Sequence, residues 1–484
     1  MLFTEPSFLF LFLPVLLALY FLPTLKGSAY AKRPHGGYAN LLLLTASVLF
    51  YARGGGAFTW LMLGSIAFNY FMAIAVARDR SKAWLAAAIA VNLGVLGVFK
   101  YANFFADNVN ALLVALHVGP VAVPNVLLPI GISFYTFHAI SYVVDVYRGD
   151  ATAQKSPIHA ALYLLLFPQL IAGPIIRYRE IADQLARRVV GLDDFAEGAR
   201  RFIVGLGKKV LIANNVATAA DGIFGLAPTE LTAAHAWLGI VCYTLQIYFD
   251  FSGYSDMAIG LGRMFGFRFP ENFRWPYVAD TVQDFWRRWH MSLSSWFRDY
   301  LYVPLGGNRV SQGRMYGNLV LVFLLCGLWH GASWNFVIWG LYHGTFLVVE
   351  RLGLASMLQR LAPSTRHLYL LVVVMVGWVF FRAETLPAAL SFLAAMAGRP
   401  APMPTPFAVS WFLTPTVWLA LVAGGIGSMP IGPALNGWWR QATERRRAEW
   451  GFALGSAAVV GVVLVASIVQ IAAGTYNPFI YFRF

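Results

Sequence analysis

The chain has 484 residues, of which 59% are hydrophobic and only 12% charged, and its mean hydropathy is +0.62. Soluble globular domains average about 45–50% apolar and about 25% charged residues. This composition excludes most soluble, disordered and disulfide-scaffold classes and predicts a membrane protein with many spans. The formal net charge of +14 has two explanations, which are nucleic-acid binding and basic loops held on the cytoplasmic side of a membrane.

Long apolar runs predict about ten transmembrane helices, and the N-terminus lacks the basic region of a cleavable signal. The predicted spans are Phe8–Leu25, Asn40–Ala52, Thr59–Ala77, Trp84–Phe99, Leu127–Tyr147, Val210–Leu226, Trp237–Leu261, Leu368–Phe381, Trp411–Gly427 and Trp450–Ala473. With the N-terminus outside, 31 of the 36 Lys and Arg residues fall in inside loops, and the exceptions are Arg53, Lys100, Arg382, Arg399 and Arg483. This asymmetry explains the charge without nucleic acid and predicts that the C-terminus is also outside.

Two apolar segments do not fit a single span. Ile158–Ile176 has basic loops at both ends and is interrupted by Pro168 and Gly173-Pro174, which predicts a re-entrant hairpin buried in protein. Tyr316–Glu350 is either one steeply tilted helix or two short limbs that meet near His330. The more polar segments 177–209 and 263–310 are typical of interfacial amphipathic helices. We expect one integral membrane domain over residues 1–484.

Familiar catalytic signatures are absent from the sequence. It has no complete dinucleotide-binding fingerprint, nucleophile elbow, Walker A motif or His-Glu-x-x-His motif, and no metal-ligand set. Four histidines lie in apolar surroundings and are the remaining candidates for chemistry: His138, His290, His330 and His343. A neutral imidazole in such surroundings suits the removal of a proton from a hydroxyl.

His330 is the strongest candidate because it lies well inside an apolar run, where a titratable ring is costly and usually functional. The alternative is a hydrogen bond between helices. Gly327 and Ser333 are among the small residues near it, and they permit close approach of another helix or a ligand. His290 lies in Asp284-Phe-Trp-Arg-Arg-Trp-His-Met-Ser-Leu; a continuous helix there would place it with Trp286 and Leu293 on the apolar face. Its alternative role is a helix-packing contact.

The other candidate residues are expected to pack, orient or line the site. His138 is better explained by hydrogen bonding between helices, and His343 by packing. Asp250 and Asp256 could orient a histidine or line a polar channel, and their alternative is a satisfied carboxylate near a helix break. The residues expected to line the site are Trp289, Trp329, Ser333, Asn335 and Asp250.

These residues carry a resemblance to a known family. The sequence resembles the membrane-bound O-acyltransferase family, in its bacterial alginate O-acetylation branch, from about residue 130 onward. The matching stretches are Ser133–Phe137, Leu166–Pro174, Tyr254–Gly262, Asp284–Gly307, Leu328–Trp334 and Asn477–Phe482. The resemblance implies that His290 and His330 are the two family histidines, with His330 essential. It also implies an all-α fold in which a helical shell surrounds a tunnel from a cytoplasmic donor to an external acceptor.

The resemblance further implies an acetyltransferase of the bacterial inner membrane that acts toward hydroxyls of an exported polysaccharide, such as alginate. The donor would be a cytoplasmic thioester, either acetyl-CoA or an acyl carrier protein, and no cofactor would be tightly bound. Transfer would be direct or through periplasmic polysaccharide acetylation proteins. His330 would act as general base, and His290 would orient a substrate or stabilise charge.

Two alternatives stay open at this stage. The aromatic tail ending in Phe484 could enter the tunnel and present Tyr481 as an acyl relay, or it could be an interfacial anchor. The whole chain could also be a transporter or flippase for an acyl or lipid-linked group, because re-entrant segments and intramembrane polar residues occur there too.

Overall fold

The computed structural model describes residues 1–23, 36–403, 405, 407–432, 446–474 and 480, and within these ranges every regular element is helical. The earlier α-helices are α1 Leu13–Phe21, α2 Gly37–Gly55, α3 Phe58–Asp79, α4 Lys82–Leu96, α5 Ala102–Ala115, α6 Ile132–Arg148, α7 Pro157–Leu165, α8 Phe167–Leu170, α9 Tyr178–Ala186, α10 Leu192–Gly207 and α11 Asn214–Phe224. The later ones are α12 Ala233–Met264, α13 Val282–Arg288, α14 Met291–Phe297, α15 Gln312–His330, α16 Trp334–Val349, α17 Ala355–Leu358, α18 Pro363–Arg382, α19 Leu386–Met396, α20 Val409–Phe412, α21 Pro415–Gly427 and α22 Arg446–Ala472. The all-α prediction is confirmed.

The chain divides into two compact units. The first contains Met1–Ala199, Ala258–Pro270 and Gly331–Ser333, and the second contains Arg200–Met257, Glu271–His330 and Trp334–Phe484. The candidate histidines His290 and His330 both belong to the second unit. The single domain expected from the sequence stays a prediction.

Four helices of the described residues are long and apolar enough to cross a membrane. They are α3, the continuous stretch Lys82–Ala115, α18, and Leu454–Ala472 within α22. Shorter apolar helices occur at Phe8–Phe21, α19 and α21. Because a hydrocarbon core of about 30 Å needs about 20 helical residues, these four alone make a multi-pass protein. The full count of about ten spans stays a prediction.

The outer loop predicted at Lys100 is wrong, because the chain is helical there. The sequence predicts a span that ends at Phe99 and an outer loop at Lys100, but α4 continues through a π-helical segment, Gly97–Tyr101, into α5. Lys100 therefore lies in the middle of a long helix, where its ammonium group donates a hydrogen bond to the Ser133 hydroxyl at 3.2 Å. Ser133 on a neighbouring helix therefore gives the ammonium group a hydrogen-bond acceptor. Hydropathy along the chain does not reveal such a partner.

The segment Ile158–Ile176 forms the interrupted, buried structure that the sequence predicts. Helix α7 ends where Leu166 leaves the helical region with ψ 112°, and α8 is a single turn. Leu162 and Phe167 are fully buried. The Tyr163 hydroxyl donates to the Ile176 carbonyl at 3.0 Å, which holds the end of the segment in place. Protein therefore surrounds the irregular backbone, as a re-entrant segment requires.

The segment Tyr316–Glu350 forms two helices and not one tilted helix. Helix α15 ends at His330 and α16 begins at Trp334. The limbs touch at glycines: a Cβ atom on Gly327 would collide with the Phe336 carbonyl oxygen, and one on Gly340 with the Phe323 carbonyl oxygen. Close backbone contact of this kind requires small residues, as expected from the sequence around His330. The hairpin places His330 at the end of a closely packed helix.

Candidate functional site

His290 lies at a break between two short helices. It has φ 45° and ψ 53°, in the left-handed region, and separates the seven-residue helices α13 and α14. The prediction of one continuous helix through Trp286, His290 and Leu293 is therefore wrong. A non-glycine residue seldom adopts this conformation, which is commonest at functional or tightly constrained positions. The expectation that His290 is buried is confirmed, since only 1% of its surface is exposed.

Asn272 determines which nitrogen of His290 carries the proton. Its side-chain oxygen accepts hydrogen bonds from the Ser292 backbone N–H at 3.2 Å and the Ser292 hydroxyl at 2.9 Å. A backbone N–H can only donate, so the Asn272 atom in this position must be the oxygen. The same oxygen lies 3.1 Å from His290 Nδ1, which must therefore be protonated to bond to it. Nε2 is then the basic nitrogen of the neutral ring.

His290 Nε2 is buried and has no hydrogen-bond partner among the described residues. A buried polar atom of this kind is rare unless a ligand, a water molecule or a catalytic role accounts for it. His290 lies outside the four helices that are long and apolar enough to cross a membrane, and burial lowers its pKa to about 3. The ring is therefore neutral at physiological pH, with a free lone pair on Nε2.

His330 faces the same interior as His290. The ring centroids of the two histidines are 6.5 Å apart, and His330 is 6% exposed. The His330 ring also contacts Trp339 at 5.2 Å and Phe381 at 5.1 Å, both edge-on. The structure thus brings together two histidines that are 40 positions apart in sequence. Two imidazoles at this separation can act on one bound group.

Tryptophans surround the histidine pair. Trp329 lies 6.1 Å from the His290 ring and 4.9 Å from the His330 ring, between centroids. Trp289 packs against Trp378 at 4.9 Å, and both side chains are buried. Such walls exclude water and lower the local dielectric, which strengthens interactions with a polar reacting group. Of the predicted lining residues, Trp329 contacts both histidines, and Trp289 lies next to His290 in the chain.

Asn335 and Ser333 are placed differently. Asn335 is buried and donates a hydrogen bond from its amide nitrogen to the Ala383 carbonyl at 2.6 Å, joining the start of α16 to the end of α18. Ser333 is half-buried and follows His330 by three positions, in the loop that belongs to the first unit. Their expected roles in lining the site stay predictions.

Asp250 forms a buried ion pair. Its carboxylate lies 2.7 Å from the Lys209 ammonium, and the two side chains are 2% and 4% exposed. It also accepts a hydrogen bond from the Ile480 backbone N–H at 2.9 Å. Its neighbour Phe251 packs edge-on against His290 at 4.6 Å. Asp250 therefore joins α12 to the chain terminus, immediately before Tyr481, which lies outside the described residues.

Of the remaining polar candidates, Asp256 and His138 have polar partners, and His343 packs between aromatic rings. Asp256 pairs with Lys208 at 2.7 Å and with Arg201 at 2.9 Å, so its expected orienting role toward a histidine finds no support. His138 Nε2 accepts a hydrogen bond from the Ile176 backbone N–H at 3.2 Å, which fits the hydrogen-bonding role expected for it. His343 is fully buried between Trp286 and Trp339, each at 5.1 Å between ring centroids, which fits the expected packing role. Neither of its ring nitrogens has a hydrogen-bond partner among the described residues.

Sequence reasoning missed Asn272 and Lys209. Asn272 lies 18 positions before His290, and Lys209 lies 41 positions before Asp250, so no local spacing connects either pair. The topology predicted from the sequence places Lys209 in a basic inner loop together with Lys208. A signal existed only for Asn272, which stands in the aromatic and basic stretch Phe269–Trp275, where an amide seeks a partner when it is buried.

Comparison with known proteins agrees with this structure. The sequence model of the membrane-bound O-acyltransferase family, MBOAT, matches residues 151–386. The chain is 42% identical over 514 residues to a probable alginate O-acetylase of Azotobacter vinelandii, covering all of both chains. It is 40% identical to a peptidoglycan O-acetyltransferase of Helicobacter pylori, covering 82% of this chain and 80% of the relative. It is 31% identical to a teichoic acid D-alanyltransferase of Bacillus subtilis, covering 46% of this chain and 59% of the relative.

The fold and the buried histidine pair define an all-helical, multi-pass membrane enzyme. With the full-length similarity above, the chain belongs to the membrane-bound O-acyltransferase family, in the branch of the alginate O-acetylases. It is a membrane-bound O-acyltransferase, as the resemblance of its motifs implied.

Proposed function

We propose that the protein transfers acetyl groups from a cytoplasmic thioester toward hydroxyls of an exported polysaccharide, alginate or a similar polymer. The observation that carries this proposal is the pair of buried imidazoles, His290 and His330, enclosed by tryptophans with ring centroids 6.5 Å apart. The names of the relatives support the acceptor class, since they include an alginate O-acetylase and a peptidoglycan O-acetyltransferase.

In this mechanism His330 is the general base. It removes the proton of the attacking hydroxyl while the oxygen forms a bond to the thioester carbonyl carbon. When the intermediate collapses, the carbon–sulfur bond breaks and the protonated His330 returns the proton to the departing sulfur. His290 orients a substrate or stabilises charge through its Nε2, because Asn272 holds Nδ1.

The proposed architecture is a shell of about ten spans around a tunnel, in the bacterial inner membrane, with both termini outside. The inner basic loops would receive an anionic donor, either acetyl-CoA or an acyl carrier protein. The acetyl group would leave on the outer side, directly to the polymer or through periplasmic polysaccharide acetylation proteins. The four long apolar helices and the buried re-entrant segment support this arrangement.

Tyr481 is the proposed acyl relay within this scheme. Its neighbour Ile480 is 5% exposed and is bonded through its backbone to Asp250, so the chain just before Tyr481 is held inside the second unit. A hydroxyl delivered to the site by the tail could accept the acetyl group and pass it on. Tyr481→Phe removes that hydroxyl alone, and full activity of this variant would exclude the relay.

Labelled acetyl transfer by the purified protein tests the proposed function. The protein is placed in liposomes with labelled acetyl-CoA or acetylated carrier protein on the inner side and an oligosaccharide, with its periplasmic partners, on the outer side. The proposal predicts label on the oligosaccharide. A transporter or flippase would instead move labelled donor across the bilayer without forming an ester, and that outcome would contradict the proposal.

A further inference from the structure

Glu350 directly follows α16 and is a buried carboxylate, with only 3% of its surface exposed. One of its oxygens accepts a hydrogen bond from the Val282 backbone N–H at 2.6 Å, and the other accepts from the Gln283 backbone N–H at 3.0 Å. The Tyr369 hydroxyl donates to the same carboxylate at 3.2 Å. A carboxylate is seldom buried unless such partners compensate it. Glu350 therefore bonds to the start of α13 through both of its oxygens.

These bonds cap helix α13. The first turn of a helix has backbone N–H groups without partners inside the helix. In α13 the first two belong to Val282 and Gln283 and bond to Glu350, and the third, of Asp284, bonds to the Thr281 hydroxyl oxygen at 3.1 Å. A negative side chain at this end of a helix is also favoured by the helix dipole. A residue 68 positions later in the chain thus fixes where α13 begins.

The residues just before α13 are tied to the start of α18. Arg366 forms an ion pair with Asp280 at 3.3 Å, and His367 Nδ1 lies 3.2 Å from the Ala279 carbonyl oxygen. Tyr369, one helical turn further along α18, bonds to Glu350 as described above. The start of α13, the end of α16 and the start of α18 are therefore joined by one set of polar contacts.

The other end of α13 leads directly to His290. The Arg288 carbonyl accepts a hydrogen bond from the Arg274 backbone N–H at 3.0 Å, and the Met291 backbone N–H donates to the Asn272 carbonyl at 2.9 Å. Helix α13 has seven residues, which corresponds to a length of about 10 Å. Because so short a helix moves as one body, a displacement of its start is carried to His290.

Glu350 also belongs to the helix pair that carries His330. Helix α15 ends at His330 and packs against α16, and Glu350 is the residue after α16. Trp286 on α13 packs edge-on against Trp339 on α16, with ring centroids 5.6 Å apart. The placement of α13 against α16 therefore sets the distance between the rings of His290 and His330, which is 6.5 Å between centroids.

We propose that Glu350 is a positioning residue for acyl transfer, whose carboxylate caps α13 and thereby holds His290 at its working distance from His330. The inference rests on the proposed function, because it requires both histidines to take part in transfer. Without the cap, a buried N–H group loses its acceptor and α13 is free to shift. A displacement of about 1 Å in a catalytic group can cost about 100-fold in rate.

The test compares Glu350→Gln with Tyr369→Phe in the full-length protein, by labelled acetyl transfer in liposomes and by Tm in detergent. A glutamine side chain has one oxygen and one NH₂ group, so it can accept from Val282 or Gln283 but not from both. We expect kcat of Glu350→Gln to fall ~10–100-fold, with little change in the KM for the donor. Tyr369→Phe is the matched control: it removes one hydrogen bond from the same carboxylate and should lower the Tm, but both bonds to α13 stay and kcat should be unchanged.

Val282→Pro removes one of the capping bonds from the other side. Proline has no N–H and is tolerated at the first position of a helix, and Thr281 before it already has extended backbone, with φ −140° and ψ 154°. We expect kcat to fall in this variant too. Adding Glu350→Gln to Val282→Pro should then cost little more, because the NH₂ group of the glutamine no longer faces a backbone donor.

The outcomes separate the positioning role from a purely structural one. A wild-type kcat in Glu350→Gln or in Val282→Pro, or an equal loss of kcat in Tyr369→Phe, would overturn the proposal. Losses of kcat that multiply fully in the double variant would also overturn it, since independent effects do not require the bond between Glu350 and Val282.

Failure of the proposed function gives a different result. If the wild-type protein transfers no acetyl group, the proposed function is contradicted. If the wild type and Glu350→Gln transfer acetyl groups with the same kcat, only the positioning role of Glu350 is contradicted.

Discussion

The Asn272 side-chain oxygen lies 3.1 Å from His290 Nδ1, and this contact selects the tautomer of the neutral ring. The oxygen is identified by the Ser292 backbone N–H that also bonds to it. Nδ1 therefore carries the proton, and Nε2 is available to a substrate. Asn272 acts through His290 and is a positioning residue.

Replacing Asn272 tests that role. Asn272→Ala removes the acceptor, so His290 loses its fixed tautomer and orientation. We expect kcat for acetyl transfer to fall ~10–100-fold, the usual size for residues that orient a functional histidine, with little change in the KM for the donor. Asn272→Asp retains an acceptor for all three hydrogen bonds and should restore most of the activity. A rise in KM alone, or full activity of Asn272→Ala, would contradict the positioning role.

Burial of His290 makes stability depend on pH. Its folded-state pKa is about 3, below the unfolded value of about 6.5, so the unfolded chain binds more protons between these values. The stabilisation is present above pH 6.5 and is lost as pH falls toward 3, by about 2 kcal/mol at pH 5. His290→Gln should remove the pH-dependent contribution of His290 to the free energy of unfolding. The apparent Tm of this variant in detergent should therefore fall less between pH 8 and pH 5 than that of the wild type. An identical fall in both proteins would show that the pKa is not lowered.

The Gly327 contact between α15 and α16 is tested by adding one methyl group. Gly327→Ala places a Cβ atom against the Phe336 carbonyl and should destabilise the protein by about 1–3 kcal/mol and displace His330, which follows three residues later. Gly317→Ala is the matched control, because a Cβ atom there meets nothing within 4 Å on the same helix. The control should be neutral or slightly stabilising, since Ala is the better helix former. Thermal unfolding and acetyl-transfer activity are measured for both variants. Equal losses of Tm and activity in Gly327→Ala and Gly317→Ala would contradict the close packing at Gly327.

The buried pair Lys209–Asp250 is tested by a double-mutant cycle. Lys209→Met or Asp250→Leu alone leaves a buried charge without its partner and should destabilise the protein by about 3–5 kcal/mol. The double variant replaces both charges with apolar groups and should recover most of the stability. Unfolding in detergent measures each corner of the cycle. Additive losses in the double variant would show that the two charges do not interact.

The sequence predicts well those features that depend on residues close together in the chain. Pro168 and Gly173 break an apolar run, and the structure has a buried, interrupted segment there. Gly327, three residues before His330, predicts close helix packing, which the α15–α16 contact confirms. In both cases the effect comes from the residue's own geometry, since proline restricts its backbone and glycine lacks a Cβ atom. The local sequence is therefore sufficient to predict these features.

Features set by partners far apart in sequence could not be predicted. The residues around His290 have helical periodicity. However, the Asn272 side-chain oxygen accepts a hydrogen bond from the Ser292 backbone N–H, and His290 takes the left-handed conformation that separates α13 from α14. The sequence predicts that Lys100 lies in an outer loop, but Lys100 lies within a helix and donates a hydrogen bond to the Ser133 hydroxyl. Periodicity and hydropathy contain no information about such partners, so these local rules failed where tertiary hydrogen bonds decide the backbone.

The central claim is that His330 is the base for acetyl transfer, and the most direct measurement is labelled transfer by His330→Ala in liposomes. His343→Gln is the matched control, because His343 is equally buried on the neighbouring helix α16 but is assigned only a packing role. With equal amounts of each protein in the membrane, we predict that His330→Ala loses ~10²–10⁴-fold in rate, while His343→Gln keeps most of its activity. Acetyl transfer by His330→Ala at the wild-type rate would contradict the account.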